Sequence, residues 1–173
     1  MKKKRILALF LAAVSCLSLA VSASAAGTTT RKATDFKDYD RTAWYAEAVS
    51  AAVDNGLLYG KSTTVIDPNG DMTRAEMAAI INRSFGCYVK ADISKYKDVS
   101  KDKWYFEDVA MAVQMGTYNG RSNTAMAPDA PITRQEAMTV VARALELDYD
   151  AYAKTDLSAF SDRSEISNWA LPY

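Results

Sequence analysis

Apolar residues recur at helical spacing in four stretches of this chain, with polar loops between them. Tyr45, Val49, Ala52 and Val53 form the first stripe, a spacing that places all four on one face of a helix with 3.6 residues per turn. Gly56 follows where a left-handed C-cap closes a helix. Met77, Ile80, Ile81 and Phe85 form the second stripe. The third is Tyr105, Val109, Ala112 and Val113, closed by Gly116, and the fourth is Met138, Val141 and Leu145. A loop of roughly fifteen residues joins the helices of each pair. Gly60 and Pro68 punctuate the first loop, and Gly120, Pro128 and Pro131 the second.

The stripes recur because the sequence does. A shift of about 60 residues lays the chain on itself without a gap. Asp38 falls on Asp98, Trp44-Tyr45 on Trp104-Tyr105, Gly60 on Gly120, Thr73-Arg74 on Thr133-Arg134 and Glu76 on Glu136. A third copy opens at Phe160-Ser161-Asp162, which echoes Phe36-Lys37-Asp38 and Tyr96-Lys97-Asp98, and Trp169 follows at nearly the right distance. Neither helix pair can bury its stripe alone, so the copies are expected to pack around a shared helical core. The predicted class is all-α, built from tandem helix–loop–helix repeats. Polar linkers are expected near Lys90–Lys95 and Asp148–Ser158.

The N-terminal apolar stretch is of another kind. Lys2, Lys3, Lys4 and Arg5 precede an apolar run from Ile6 to Ala20, and Ala23-Ser24-Ala25 supplies small residues for cleavage. That layout is a secretory signal over residues 1–25. The run is too short and too rich in Ala and Ser for a membrane span, so no span is expected after cleavage. The segment takes four of the 21 basic residues and none of the 21 acidic ones. The mature chain therefore carries 17 basic against 21 acidic residues, a net charge of −4. Such a balance argues against nucleic acid as a partner. The chain has no histidine, which removes Ser-His-Asp and Cys-His catalysis and the commonest zinc ligand. Cys87 is the only cysteine after the signal, so no internal disulfide is possible, and it is expected to act as a small buried apolar residue. Asp67-Pro68-Asn69-Gly70-Asp71 resembles a calcium loop, but Met72 and Ala78 stand where its glycine and closing glutamate belong. No metal or cofactor is expected.

The candidate chemistry sits at the two second-helix starts. Thr73 with Glu76, and Thr133 with Glu136, have the spacing of a capping box. A capping box needs no arginine, yet Arg74 and Arg134 occupy the first helical position in both copies. A cation there opposes the helix dipole by a few tenths of a kcal/mol. Two readings stand open: an anion site in which the guanidinium joins free backbone N–H groups, or an ion pair with Glu47 or Glu107. Lys61 and Arg121 follow the repeated glycines and either flank the same groove or stay solvated. Trp44 and Trp104 either stack on sugar rings or, as is commoner at the head of an apolar helix, pack in the core.

These residues resemble the S-layer homology domain. The matching motifs are Phe36-Lys37-Asp38 with Trp44-Tyr45, then Met72-Thr73-Arg74-Ala75-Glu76, and in the second copy Ile132-Thr133-Arg134-Gln135-Glu136. The last position of the family pattern reads Ile-Thr-Arg-Ala-Glu, so Gln135 is a mild departure. A third Thr-Arg-x-Glu motif is absent from these residues. The resemblance implies a pseudo-threefold helical bundle, with a signal at 1–25, a linker at 26–35, one repeat at 36–95, a second with its linker at 96–159, and the start of a third at 160–173. It implies an exported cell-surface protein that binds anionic, often pyruvylated, secondary cell-wall polysaccharide without chemistry of its own. Arg74, Arg134, Thr73, Glu76, Thr133, Glu136, Lys61, Arg121, Trp44 and Trp104 are the polysaccharide-contacting residues it implies. A wall-active glycan hydrolase and a peptidoglycan- or protein-binding surface module are the alternatives.

Overall fold

The computed structural model describes residues 31–147 and 156–173. The expected signal at 1–25, with its cysteine, lies outside the described residues, as does 148–155 of the second polar linker. Four helices form the described part: α1 (Ala46–Asp54), α2 (Arg74–Phe85), α3 (Phe106–Gln114) and α4 (Arg134–Ala144), with short 3-10 turns at Ala33–Asp35 and Arg163–Glu165. No strand occurs among the described residues. The all-α expectation holds, and Gly56 and Gly116 take the left-handed conformation expected after α1 and α3, with φ of +68° and +78°.

Both long loops are built the same way. The Asp38 carboxylate accepts the N–H groups of Ile66 at 3.0 Å and Asp67 at 2.7 Å, and Asp98 accepts those of Met126 at 2.9 Å and Ala127 at 2.7 Å. These bonds hold Asp67 and Ala127 in the left-handed region, each with φ of +54°, a conformation that costs a non-glycine residue about 1–2 kcal/mol. Gly60 and Gly120 lie under the aromatic ring of the preceding motif. A Cβ on Gly60 would stand 2.5 Å from the Phe36 ring, and one on Gly120 would stand 2.5 Å from the Tyr96 ring. The repeated aspartate, aromatic and glycine thus make one loop device, used twice.

Packing runs between repeats more than within them. Helix α2 packs most extensively on α3, the first helix of the following repeat, and also meets α4. Ala78, Ile81, Val109, Ala112 and Val140 are buried in the core these three helices share, and a smaller cluster of Phe36, Val53 and Ile66 serves the first repeat alone. The expected shared core is therefore present. Two predicted stripes need correction. Phe85 is 44% exposed, and Met138 and Leu145 are 49% and 54% exposed. Helix α3 covers the Ala78–Ile81 face of α2, and among the described residues no helix covers the corresponding face of α4. Helix α4 instead buries Thr139, Val140, Ala142 and Ala144. Cys87 is half-buried, its sulfur 3.0 Å from that of Met115.

Candidate functional site

Two grooves of matching construction lie along α2 and α4. Groove 1, of about 520 Å³, includes Lys61, Glu76, Ala79, Ile80, Arg83 and Trp104 in its lining. Groove 2, of about 360 Å³, includes Arg121, Glu136, Thr139, Val140, Arg143 and Trp169. Each residue of the first set but the last stands 60 positions before its counterpart. Each groove thus combines the loop and second helix of one repeat with a tryptophan from the chain that follows it. Groove 2 has one more wall: Arg74 enters it from the preceding repeat.

The helix starts set the geometry. Thr73 Oγ1 accepts from the Glu76 N–H at 3.2 Å, and the Glu76 carboxylate accepts from the Thr73 N–H at 2.8 Å. Thr133 and Glu136 repeat the exchange at 3.3 and 2.9 Å. Both capping boxes are as expected. Each glutamate also holds the loop cation of its own repeat. Lys61 donates to both Glu76 oxygens at 2.7 Å and to the Asp71 carbonyl at 3.0 Å. Arg121 donates to both Glu136 oxygens and to the Pro131 carbonyl, each at 3.1 Å. Lys61 and Arg121 are therefore fixed members of the grooves, and the solvated-loop reading is corrected. A charged donor and a charged acceptor with this geometry are held far better than a lone side chain.

The paired arginines have unlike fates. Arg74 is 5% exposed. Its Nε donates to the Met126 carbonyl at 3.0 Å, Nη1 to Glu136 at 3.0 Å and Nη2 to the Asn119 carbonyl at 3.1 Å. Its guanidinium lies 5.2 Å from the centre of the Tyr118 ring. The ion-pair reading is right in kind and wrong in partner, since Glu136 takes the place of Glu47 or Glu107, and Glu107 pairs with Lys90. Nor are the backbone N–H groups at the start of α2 free, because Arg74 and Ala75 donate to the carbonyls of Ala130 and Pro128 at 3.0 and 2.9 Å. The docking of the second repeat's loop onto that helix start satisfies them. Arg134 is exposed, and among the described residues its side chain has no partner.

Burial lowers the affinity of Arg74 for its proton, and the Glu136 charge opposes that shift. For Glu136 itself burial is the largest single influence and raises its pKa. Hydrogen bonds from Arg121 and Thr133, with the charges of Arg74 and Arg121, outweigh it and hold the carboxyl below the ordinary 4.5. Glu76 is likewise held low, with Lys61 and Thr73 outweighing burial. Both glutamates are thus anions locked on cations near neutral pH.

The tryptophans correct the commoner sequence reading. Trp44, Trp104 and Trp169 are 93%, 60% and 50% exposed. Their neighbours Tyr45 and Tyr105 turn inward, each meeting the tryptophan edge-on, with centroids 5.8 and 5.4 Å apart. Trp104 faces groove 1 and Trp169 groove 2, whereas Trp44 lines neither. Sequence reasoning missed Arg83 and Arg143 on the groove floors. Arg83 lies 4.1 Å from the Tyr59 ring centre and donates to the Leu57 carbonyl at 3.0 Å, and Arg143 lies 5.2 Å from the Tyr173 ring centre. Their exact 60-residue separation was a signal open to the repeat comparison.

Comparison with known proteins agrees with this architecture. The S-layer homology domain model matches residues 35–78 and 95–138. The surface-layer 125 kDa protein of Lysinibacillus sphaericus is 34% identical over 142 residues, which is 82% of this chain and 12% of that protein. The endoglucanase of Bacillus sp. (strain KSM-635) is 26% identical over 170 residues, covering 96% of this chain and 18% of that protein. The S-layer protein sap of Bacillus anthracis is 24% identical over 134 residues, covering 78% and 16%. The chain thus spans under a fifth of the length of each of these relatives. The two matched segments begin at the first 3-10 turn and just ahead of Tyr96, and each runs through the helix-start motif into α2 or α4, so the chain belongs to the S-layer homology domain family.

Proposed function

We propose that this chain is a cell-surface anchoring module that binds anionic secondary cell-wall polysaccharide non-covalently, in the grooves along α2 and α4. The observation that carries the reading is groove 2. Arg74, Arg121 and Arg143 line it against one carboxylate, Glu136, and Trp169 offers an exposed ring beside them. Carboxylate or phosphate groups on a polymer would find guanidinium donors there, and a sugar ring would find an aromatic face. Weak contacts in two grooves on one polymer gain through effective concentration. Arg74 acts in this reading as a positive, already bonded wall of the groove, while Arg121 stands exposed at its edge and Arg143 is half-buried along its floor. Trp44 and Arg134, exposed and outside both grooves, serve a further contact with the same polymer.

A hydrolytic role is disfavoured. A general acid needs a carboxyl that keeps its proton near neutral pH, and Glu76 and Glu136 are both held in the ionised form. The segment shared with this chain occurs in a surface-layer protein, an endoglucanase and an amylopullulanase alike. A stretch common to such different proteins suits an anchor better than a reaction centre. Export through the 1–25 segment and residence on the bacterial cell wall follow from the same reading.

The test is co-sedimentation of the chain with purified wall. Binding to intact wall, loss of binding to wall stripped of its secondary polysaccharide, and no release of sugar fragments are expected. Undiminished binding to stripped wall would replace this reading with a peptidoglycan- or protein-binding role.

A further inference from the structure

The two grooves share a plan but not a lining, and two of the differences concern buried hydroxyls. Groove 1 has Leu58 and Ala79 where groove 2 has Tyr118 and Thr139. In the first repeat these positions offer only carbon. In the second they offer two hydroxyls, on side chains that are each 3% exposed. Among the described residues, neither the Tyr118 hydroxyl nor Thr139 Oγ1 has a hydrogen-bond partner. Leaving a buried hydroxyl unpaired costs about 1–3 kcal/mol, and the two residues that carry these groups both line groove 2.

Charge divides the grooves in the same sense. Groove 1 sets Lys61 and Arg83 against Glu76, Asp67 and Asp71, an excess of one negative charge. Groove 2 sets Arg74, Arg121 and Arg143 against Glu136 alone, an excess of two positive charges. Arg74, the extra cation, lies over the ring of Tyr118, so the surplus charge and one unpaired hydroxyl belong to the same cluster.

We propose that groove 2 alone takes the negatively charged sugar of the wall polymer, and that Tyr118 and Thr139 are its specificity-determining residues. This rests on the anchoring function proposed above and adds which groove selects and with which groups. The guanidiniums attract the anionic substituent. The two hydroxyls bond the hydroxyl or acyl groups of the sugar that carries it. A site with buried polar groups that only the right ligand satisfies rejects analogues lacking the matching group much more strongly than an apolar pocket does. Groove 1, net negative and without these two hydroxyls, holds uncharged parts of the same chain.

The experiment is calorimetric titration of the full chain with a methyl pyranoside bearing a pyruvate ketal, and with the same glycoside lacking the ketal. Wall polysaccharide is run in parallel. One site per chain for the ketal glycoside is expected, with at least tenfold weaker binding of the uncharged one. The Tyr118→Phe/Thr139→Ala double variant should bind the ketal glycoside ten- to a hundredfold more weakly, with a melting temperature unchanged or raised. Loss of unpaired hydroxyls does not destabilise the fold, which separates a ligand role from a structural one. Two equal sites per chain, or unchanged affinity and selectivity in the double variant, would overturn the inference and leave the anchoring function standing. Binding of the polysaccharide without the ketal glycoside would do the same. Failure to bind either would bring down the anchoring function and this inference together.

Discussion

Arg74 Nη1 lies 3.0 Å from Glu136 Oε1, so the arginine of one helix-start motif is held by the glutamate of the next. The side chains are 5% and 14% exposed, and the pair fastens the first repeat to the second. Removing one partner of a buried, hydrogen-bonded pair leaves the other uncompensated. Arg74→Ala is therefore expected to destabilise the chain by about 3 kcal/mol, besides weakening wall binding. Arg134→Ala, at the matching but exposed position, should change stability by less than about 0.5 kcal/mol. Denaturant unfolding of both variants measures the contrast. Equal effects would show that the inter-repeat pair does not stabilise the assembly.

That asymmetry marks what the sequence made legible. The repeat, the four helices, the capping boxes and the left-handed glycines are local or periodic features, and each was readable from spacing. The partner of Arg74 was not, because it depends on how one repeat docks on the next, 62 residues away. Glu47 and Glu107 are reasonable partners for an isolated helix start, but Arg74 pairs with Glu136 and Glu107 with Lys90. Trp44 and Trp104 carry the same lesson. Each sits beside a tyrosine that faces inward, and pattern alone does not say which ring of an aromatic pair the core takes. Arg83 and Arg143 were visible as matched positions. Tyr118 and Thr139 stand out only as differences between copies whose grooves are already known to correspond.

The glutamates predict a pH dependence. Glu76 and Glu136 ionise in the folded chain below the ordinary 4.5, so between the folded and unfolded values the unfolded chain binds more protons. Their contribution is fully present above about pH 4.5 and is lost as pH falls through the lower folded values. The melting temperature should hold steady from pH 7 to 5 and fall below that. In a Glu76→Gln/Glu136→Gln variant the fall should be shallower and start from a lower plateau. An equally steep fall would assign the acid sensitivity to other carboxylates.

The repeated glycines predict a graded cost. Gly60→Ala would bring a Cβ to 2.5 Å from the Phe36 ring and 2.7 Å from the Val65 carbonyl, at φ of +81°. Gly120→Ala would meet the Tyr96 ring and the Ala125 carbonyl at the same two distances. Gly86, at φ of +66°, has open space around it. Gly86→Ala should therefore cost only about 1 kcal/mol, from its left-handed backbone. The other two add steric displacement of a buried aromatic and should exceed 2 kcal/mol each. Thermal unfolding of the three variants would reveal the order, and a similar loss at all three would refute close approach as the reason for glycine at 60 and 120.

Gln135 departs from the family pattern, and its side chain has a task that alanine does not perform. Its carbonyl oxygen accepts the Ser167 N–H at 2.9 Å, tying the 156–173 segment to α4. The same segment carries Trp169 to groove 2. Gln135→Ala removes one neutral hydrogen bond, worth about 1 kcal/mol, and the loss falls on the 156–173 segment and not on the shared core. Tryptic cleavage after Arg163 should become several-fold faster, while the unfolding midpoint of the chain barely moves. Because Trp169 leaves the groove when the segment detaches, polysaccharide affinity should fall in the same variant, although Gln135 does not line either groove. Cleavage at the unaltered rate would mean that other contacts, such as Arg143 beneath Tyr173, hold the segment without help from the carboxamide.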